Sequence, residues 1–273
     1  MQDRPGRYIL VLMTTWILHP LNARHGLTPV LSELRAAIRQ AIALAGPHIA
    51  LPDFDLVARA ETGGAARGGI ASRCPAPGLI EVTLDPARFD ESLLIRRLLR
   101  EFLPLLRHEG PGRGPSSRGV SLGEALISEG LAGHFVQHVL GGRPEPVDQT
   151  ALSSGVARQA MNEWARRDFD FPRWFYGKGD LRYGTGNGLG HRIVAGHLAQ
   201  NPDQDVISLA WVQADAFRAS LRQIVGADKD AAGDEAAAGN QQPHVDEGEP
   251  EKGGAGKEIA DGAEARDGRP PSG

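Results

Sequence analysis

The chain has 273 residues, of which 41% are hydrophobic and 23% charged, so there is material for a sizeable core and wholesale disorder is excluded. Its one cysteine, Cys74, excludes an internal disulfide framework and any all-cysteine metal site, and aromatics at 5% leave little for base-stacking platforms. The net charge of −4 is uneven: from Gly226 onward 12 acidic and 5 basic residues give a tail of −7, while 25 basic and 22 acidic residues leave the body at +3, too mild a surplus for a nucleic-acid footprint.

In chain order, Tyr8–Leu18 is an apolar run of eleven residues. It falls short of the roughly 20 that a membrane helix needs, and no small-residue cleavage site follows it. Its β-branched and aromatic content predicts a buried strand, and the protein reads as soluble and cytoplasmic. Thr28-Pro29 predicts a helix start, running to about Ala45. Leu56–Ala60 and Leu79–Leu84 are short strands, the second alternating cleanly. The rest reads as mostly helical: Asp90–Arg107, then Ser121–Leu140 behind the capping box Ser121-Leu-Gly-Glu124. Further helices fit Thr150–Arg166, Leu189–Gln200 and Asp205–Val225, with an aromatic- and glycine-rich stretch at Phe169–Gly188. The predicted class is α+β, a small N-terminal sheet packed by a mainly helical remainder. Residues 1–225 form one domain, and 226–273, poor in large apolar side chains, form a disordered acidic tail.

The informative feature is Glu129, set in the string Ser128-Glu-Gly-Leu-Ala132 on an otherwise apolar helix. A carboxylate on a buried face needs a cation, a metal or strong donors beside it; the alternative is a partly exposed residue at the stripe's edge. His134 and His138 stand at i and i+4, a chelating spacing, but lack the glutamate of an HExxH helix. Gly184–Gly190 is glycine-dense before a helix, yet no lysine stands in the Walker position. Cys74 has only Arg73 beside it to lower a thiol pKa, which is weak support for a nucleophile.

Three segments together carry a resemblance: Leu21-Asn-Ala-Arg-His-Gly-Leu-Thr28, the helix Ser121–Phe135, and Trp174-Phe-Tyr-Gly177 with Leu189-Gly-His-Arg-Ile-Val194. Over most of Tyr8–Asn201 the body resembles a bacterial family of predicted zinc-dependent proteases, a domain of unknown function related to the gluzincin metallopeptidases. The resemblance implies a zincin-like fold and a zinc held by two HExxH histidines and the glutamate of the S-E-G-L-A string, here Glu129. It places HExxH on Arg100-Glu-Phe-Leu-Pro104. The general-base glutamate survives as Glu101, but the ligand positions hold Arg100, which offers only donors, and Pro104, which has no ligand atom. Pro104 is also expected to bend its helix. Where the family tends to carry tyrosines, this chain has Asn187 and His191; Tyr183 is near in sequence.

The reading is therefore a degenerate metallopeptidase with Glu101 as a vestigial general base and no zinc expected. Arg100 is expected to pair with Glu129 in place of the metal; the alternative is an Arg100 turned to solvent. A peptide or protein bound between the Arg100 and Glu129 helices, beside His134, Asn187 and His191, is the expected partner, with no nucleic acid and no membrane. The rival expectation is an active hydrolase whose metal has moved, for example onto His134, His138 and His191. A gene product without a selected function is the third.

Overall fold

The computed structural model describes residues 14–63, 67–110 and 120–239. Four strands make one sheet in the order β1-β2-β4-β3: β1 (Trp16–Leu21), β2 (Phe54–Ala60), β3 (Ile70–Ala76) and β4 (Leu79–Leu84). β1, β2 and β4 run parallel, and β3 is antiparallel to β4 at the sheet's edge. The first strand is shifted from the predicted run: it begins at Trp16, and residues 8–13 lie outside the described residues.

β1 is joined to β2 by a short 3-10 turn (Thr28–Val30) and α1 (Leu31–Ala45). Thr28 does not cap this start; its hydroxyl instead accepts from the Asn22 amide at 3.1 Å. Leu34, Ala37, Ile38, Ala41 and Ala45, spaced three and four apart, bury one face of α1. β3 has no clean alternation to announce it. Pro75 lacks an N–H, the β3–β4 register shifts between Arg73 and Ala76, and Gly78 at φ 66° closes the hairpin behind Pro77.

From there the chain is helical. α2 (Glu91–His108) is capped by Asp90, which accepts from the Leu93 N–H at 2.9 Å, and it passes through Pro104 for another turn. α3 (Leu122–Leu140) is capped by Ser121, accepting from the Glu124 N–H at 3.2 Å. The Glu124 carboxylate reaches away, to Arg107 at 3.1 Å and the Ala214 N–H at 3.0 Å. α4 (Val156–Glu163), α5 (Phe171–Tyr176), α6 (Thr185–Gln200) and α7 (Arg218–Gly239) complete the fold. α7 crosses the boundary drawn at residue 226, and 240–273 lie outside the described residues. Among the described residues no helix is long and apolar enough to cross a membrane.

The core runs unbroken from the sheet and α1 through α2 and α3 to α6. α3 lies between α2 and α6, and α3 meets α6 backbone to backbone. A Cβ on Gly130 would stand 2.3 Å from the Gly190 carbonyl oxygen, and one on Gly190 would stand 2.0 Å from that of Leu126. The glycine-dense segment is thus a packing device. α6 already begins at Thr185, four residues before the predicted start, and Gly186 and Gly188 admit the Phe175 ring and the Thr150 carbonyl.

Candidate functional site around Arg100

Three residues on α2 and α3 set the site: Arg100, Glu101 and Glu129. Arg100 is 5% exposed, and its guanidinium is surrounded by acceptors. Nη1 and Nη2 donate to the two carboxylate oxygens of Asp148 at 2.9 and 2.8 Å, a two-pronged pair. Nε and Nη2 donate to Glu129 Oε2, each at 3.2 Å, while Nη1 reaches Glu145 at 3.3 Å. Nη2 also donates to the Glu129 carbonyl at 3.2 Å. Burial opposes the guanidinium's charge, but Glu129, Asp148 and Glu145 outweigh it and push its pKa further up. The expected Arg100–Glu129 pair is present, and Arg100 does not turn to solvent.

Two glycines of α3 have a task here. Gly133 leaves room for the Asp148 carboxylate, since a Cβ there would lie 2.6 Å from Oδ2. Gly130 lets α6 close on α3, which brings Asn187 to within 2.7 Å of Glu129 Oε2 as a further donor. One oxygen of Glu129 therefore takes Arg100 and Asn187 together.

Glu101 faces the other way, toward the edge strand. The Ser72 hydroxyl of β3 donates to its Oε1 at 2.7 Å. Burial and the charge of Glu129 nevertheless raise its pKa from 4.5 to about 7, against the pull of Ser72, Arg100 and Arg97. Burial, with Glu101's charge added, pushes Cys74 up to about 12, so its thiol stays protonated and is no ready nucleophile. Tyr176 of α5, with 55% of its surface exposed, stands within the field of Glu129 and Glu101, and burial of its ring with those charges raises its pKa. A phenol thus stands by this site from α5, whereas positions 187 and 191 hold no tyrosine.

The histidines divide differently from their spacing. His134 stacks on His191, ring centres 3.8 Å apart and planes 7° from parallel, and its Nε2 meets the His191 carbonyl at 3.0 Å. Desolvation lowers both pKa values, that of His191 to about 4, so the pair is neutral. His138 points elsewhere: its Nε2 lies 3.2 Å from His48 Nδ1, at the end of α1. His134, His138 and His191 do not converge on one point.

Of the residues named from the sequence, the structure brings Arg100, Glu129 and Asn187 together and stacks His134 on His191, with Glu101 turned to Ser72. Sequence reasoning missed Asp148 and Glu145, which lie in a turn with no motif around them, and Ser72, which sits on the strand that was not predicted. The one available signal was arithmetic: a buried guanidinium facing a single carboxylate would still be short of acceptors.

Zinc, which the resemblance implies, does not fit these residues as they stand. A permanent cation holds the space among the carboxylates, His134 Nε2 is engaged by the His191 carbonyl, and among the described residues no group of three or more His, Cys, Asp or Glu is gathered to hold a metal. No curated protein and no solved structure matches the chain. A family model does, that of DUF2268, described as a predicted Zn-dependent protease, over residues 34–219. That match spans α1 to the start of α7 and includes every residue of the Arg100 cluster, so the chain belongs to this family of predicted Zn-dependent proteases.

Proposed function

We propose that this chain is a catalytically inactive relative of the predicted zinc-dependent proteases of its family, with no metal at the family's site around Arg100 and Glu129, and that it binds a peptide or another protein. The observation that supports it is the Arg100 cluster. Arginine keeps its proton at any physiological pH, so it supplies lasting positive charge among Glu129, Glu145 and Asp148 and gives no lone pair to a metal. Without a metal there is no Lewis acid for a peptide carbonyl and no activated water for Glu101 to deprotonate. Near the cluster stand the hydrogen-bonded Ser72–Glu101 pair and, from α5, the exposed Tyr176 ring, which feels the charge of Glu129 and Glu101. The proposed setting is the cytoplasm, with neither nucleic acid nor membrane as partner, in keeping with the mild body charge.

Elemental mass spectrometry of the untagged protein, purified without chelators, tests the reading together with a melt in EDTA. The expected result is a zinc-to-protein ratio near zero and an unchanged Tm. A ratio near one, with a fall of several degrees in EDTA and peptidase activity that depends on Glu101, would establish the rival reading of a relocated metal site. For the binding half, peptides selected from a random display library should lose affinity on Tyr176→Ala. Selected peptides indifferent to that change would place binding elsewhere.

A further inference from the structure

The second histidine arrangement lies apart from the Arg100 cluster. His48 follows the end of α1 in a turn fixed by its own backbone: the His48 and Ile49 N–H groups both donate to the Ala45 carbonyl, at 2.9 and 3.0 Å. His138 stands in the last turn of α3, whose inner face is buried. Two elements ninety residues apart in sequence thus hold their imidazoles edge to face, ring centres 4.8 Å apart, with His48 Nδ1 and His138 Nε2 separated by 3.2 Å.

We propose that His48 and His138 form a two-imidazole site for a borderline divalent transition metal, with water completing its coordination. Two imidazole nitrogens bound at roughly 2.0–2.1 Å to one ion stand about 2.9 Å apart at a right angle and about 3.4 Å apart at the tetrahedral angle. The observed separation lies inside that interval, so ring rotations that break this mutual hydrogen bond would turn both lone pairs onto a shared ion.

The surroundings favour a cation. His138 sits in the last turn of α3, where the aligned peptide dipoles leave partial negative charge, and His48 stands three residues beyond the end of α1. The Asp205 carboxylate, held below its usual range chiefly by the Ser208 N–H, lies within electrostatic reach of the His138 ring and adds negative charge there. His138 is exposed and His48 half-buried, so water can reach the remaining coordination positions. That openness also makes a bare N–H···N contact worth little, because water serves an exposed imidazole equally well. With two protein ligands the site is an exchangeable one, and nitrogen donors of this kind rank Cu2+ above Ni2+ and Zn2+.

The site is independent of Arg100, and its failure is distinguishable from failure of the metal-free reading. Calorimetric titration of the full, untagged chain with NiCl2, and then with copper and zinc salts, is the test. One equivalent is expected to bind, with affinity falling by more than about tenfold in His48→Ala and equally in His138→Ala. His134→Ala should bind as the parent does. Nickel should raise the Tm of the parent protein only while both histidines are present. Because the rings lie at the surface, metal-free melts of the variants should match the parent, which separates lost binding from lost fold. Absence of binding, or binding that survives both single substitutions, overturns the site. Metal that survives them and stays bound through dialysis counts against the metal-free reading of the Arg100 cluster instead.

Discussion

Glu101 and Arg100 are neighbours in the chain with opposite electrostatic fates. Arg100 is neutralised from three sides, whereas Glu101 has one hydroxyl donor and a like charge nearby. The consequence for stability has a definite sign. The folded pKa, about 7, lies above the ordinary 4.5, so between those values the folded state binds more protons than the unfolded state. Stability contributed by protonated Glu101 is complete below 4.5 and is lost as pH rises through about 7. Glu101→Gln keeps the shape and a neutral side chain. Its Tm should match the parent's at pH 5 and exceed it at pH 8; an equal gap at both pH values would refute the assigned protonation.

At the level of elements, the helices were legible where apolar spacing and caps agree. The stretches from Asp90 and from Ser121 were predicted to within a residue of α2 and α3, because Asp90 and Ser121 are real caps. β3 was not legible, since Arg73-Cys-Pro75 breaks the alternation that marked β4. α6 was cut short because glycine reads as loop in isolation, although here each glycine is paid back by contact with a neighbouring backbone or ring. The α3–α6 contact gives a direct test. Gly190→Ala must push the Leu126 carbonyl or the whole of α6 outward, and overpacking of this kind costs about 1–3 kcal/mol, or more when backbone is the obstacle. Urea denaturation should show at least that loss, with Asn187→Ala milder because α6 stays seated. A neutral Gly190→Ala would mean that the helices can separate freely.

Across the whole molecule, the Arg100 cluster joins parts that hydrophobic packing alone would leave adjustable. One guanidinium binds α2 to α3 and to the turn at 145–148, and through Glu129 it reaches α6. Removing the cation strands three carboxylates around a space from which water is largely excluded. Loss of one partner of a buried ion pair costs about 3–5 kcal/mol. Arg100→Met should therefore lose stability of that order in a denaturant titration, in a single transition shared by near-UV and far-UV signals. Arg100→Lys should recover only part, because an ammonium cannot grip Asp148 with two parallel bonds while reaching Glu129 and Glu145. A loss below about 1 kcal/mol for Arg100→Met would show the cluster to be dispensable.

That same cluster makes the route back to a metal steep. Exchanging Arg100 for histidine alone removes the charge that three carboxylates face, and Pro104 still supplies no second imidazole. Exchanging Pro104 alone sets a new imidazole on the same helix face as a guanidinium that repels any dication. On the proposed reading, in which Arg100 and Pro104 stand where the family's two histidines would, neither exchange alone supplies both imidazoles, and only the two together would restore the i, i+4 spacing. On that reading a return to a metal site would take two substitutions at once, with Glu129, Glu145 and Asp148 left without their cation in between.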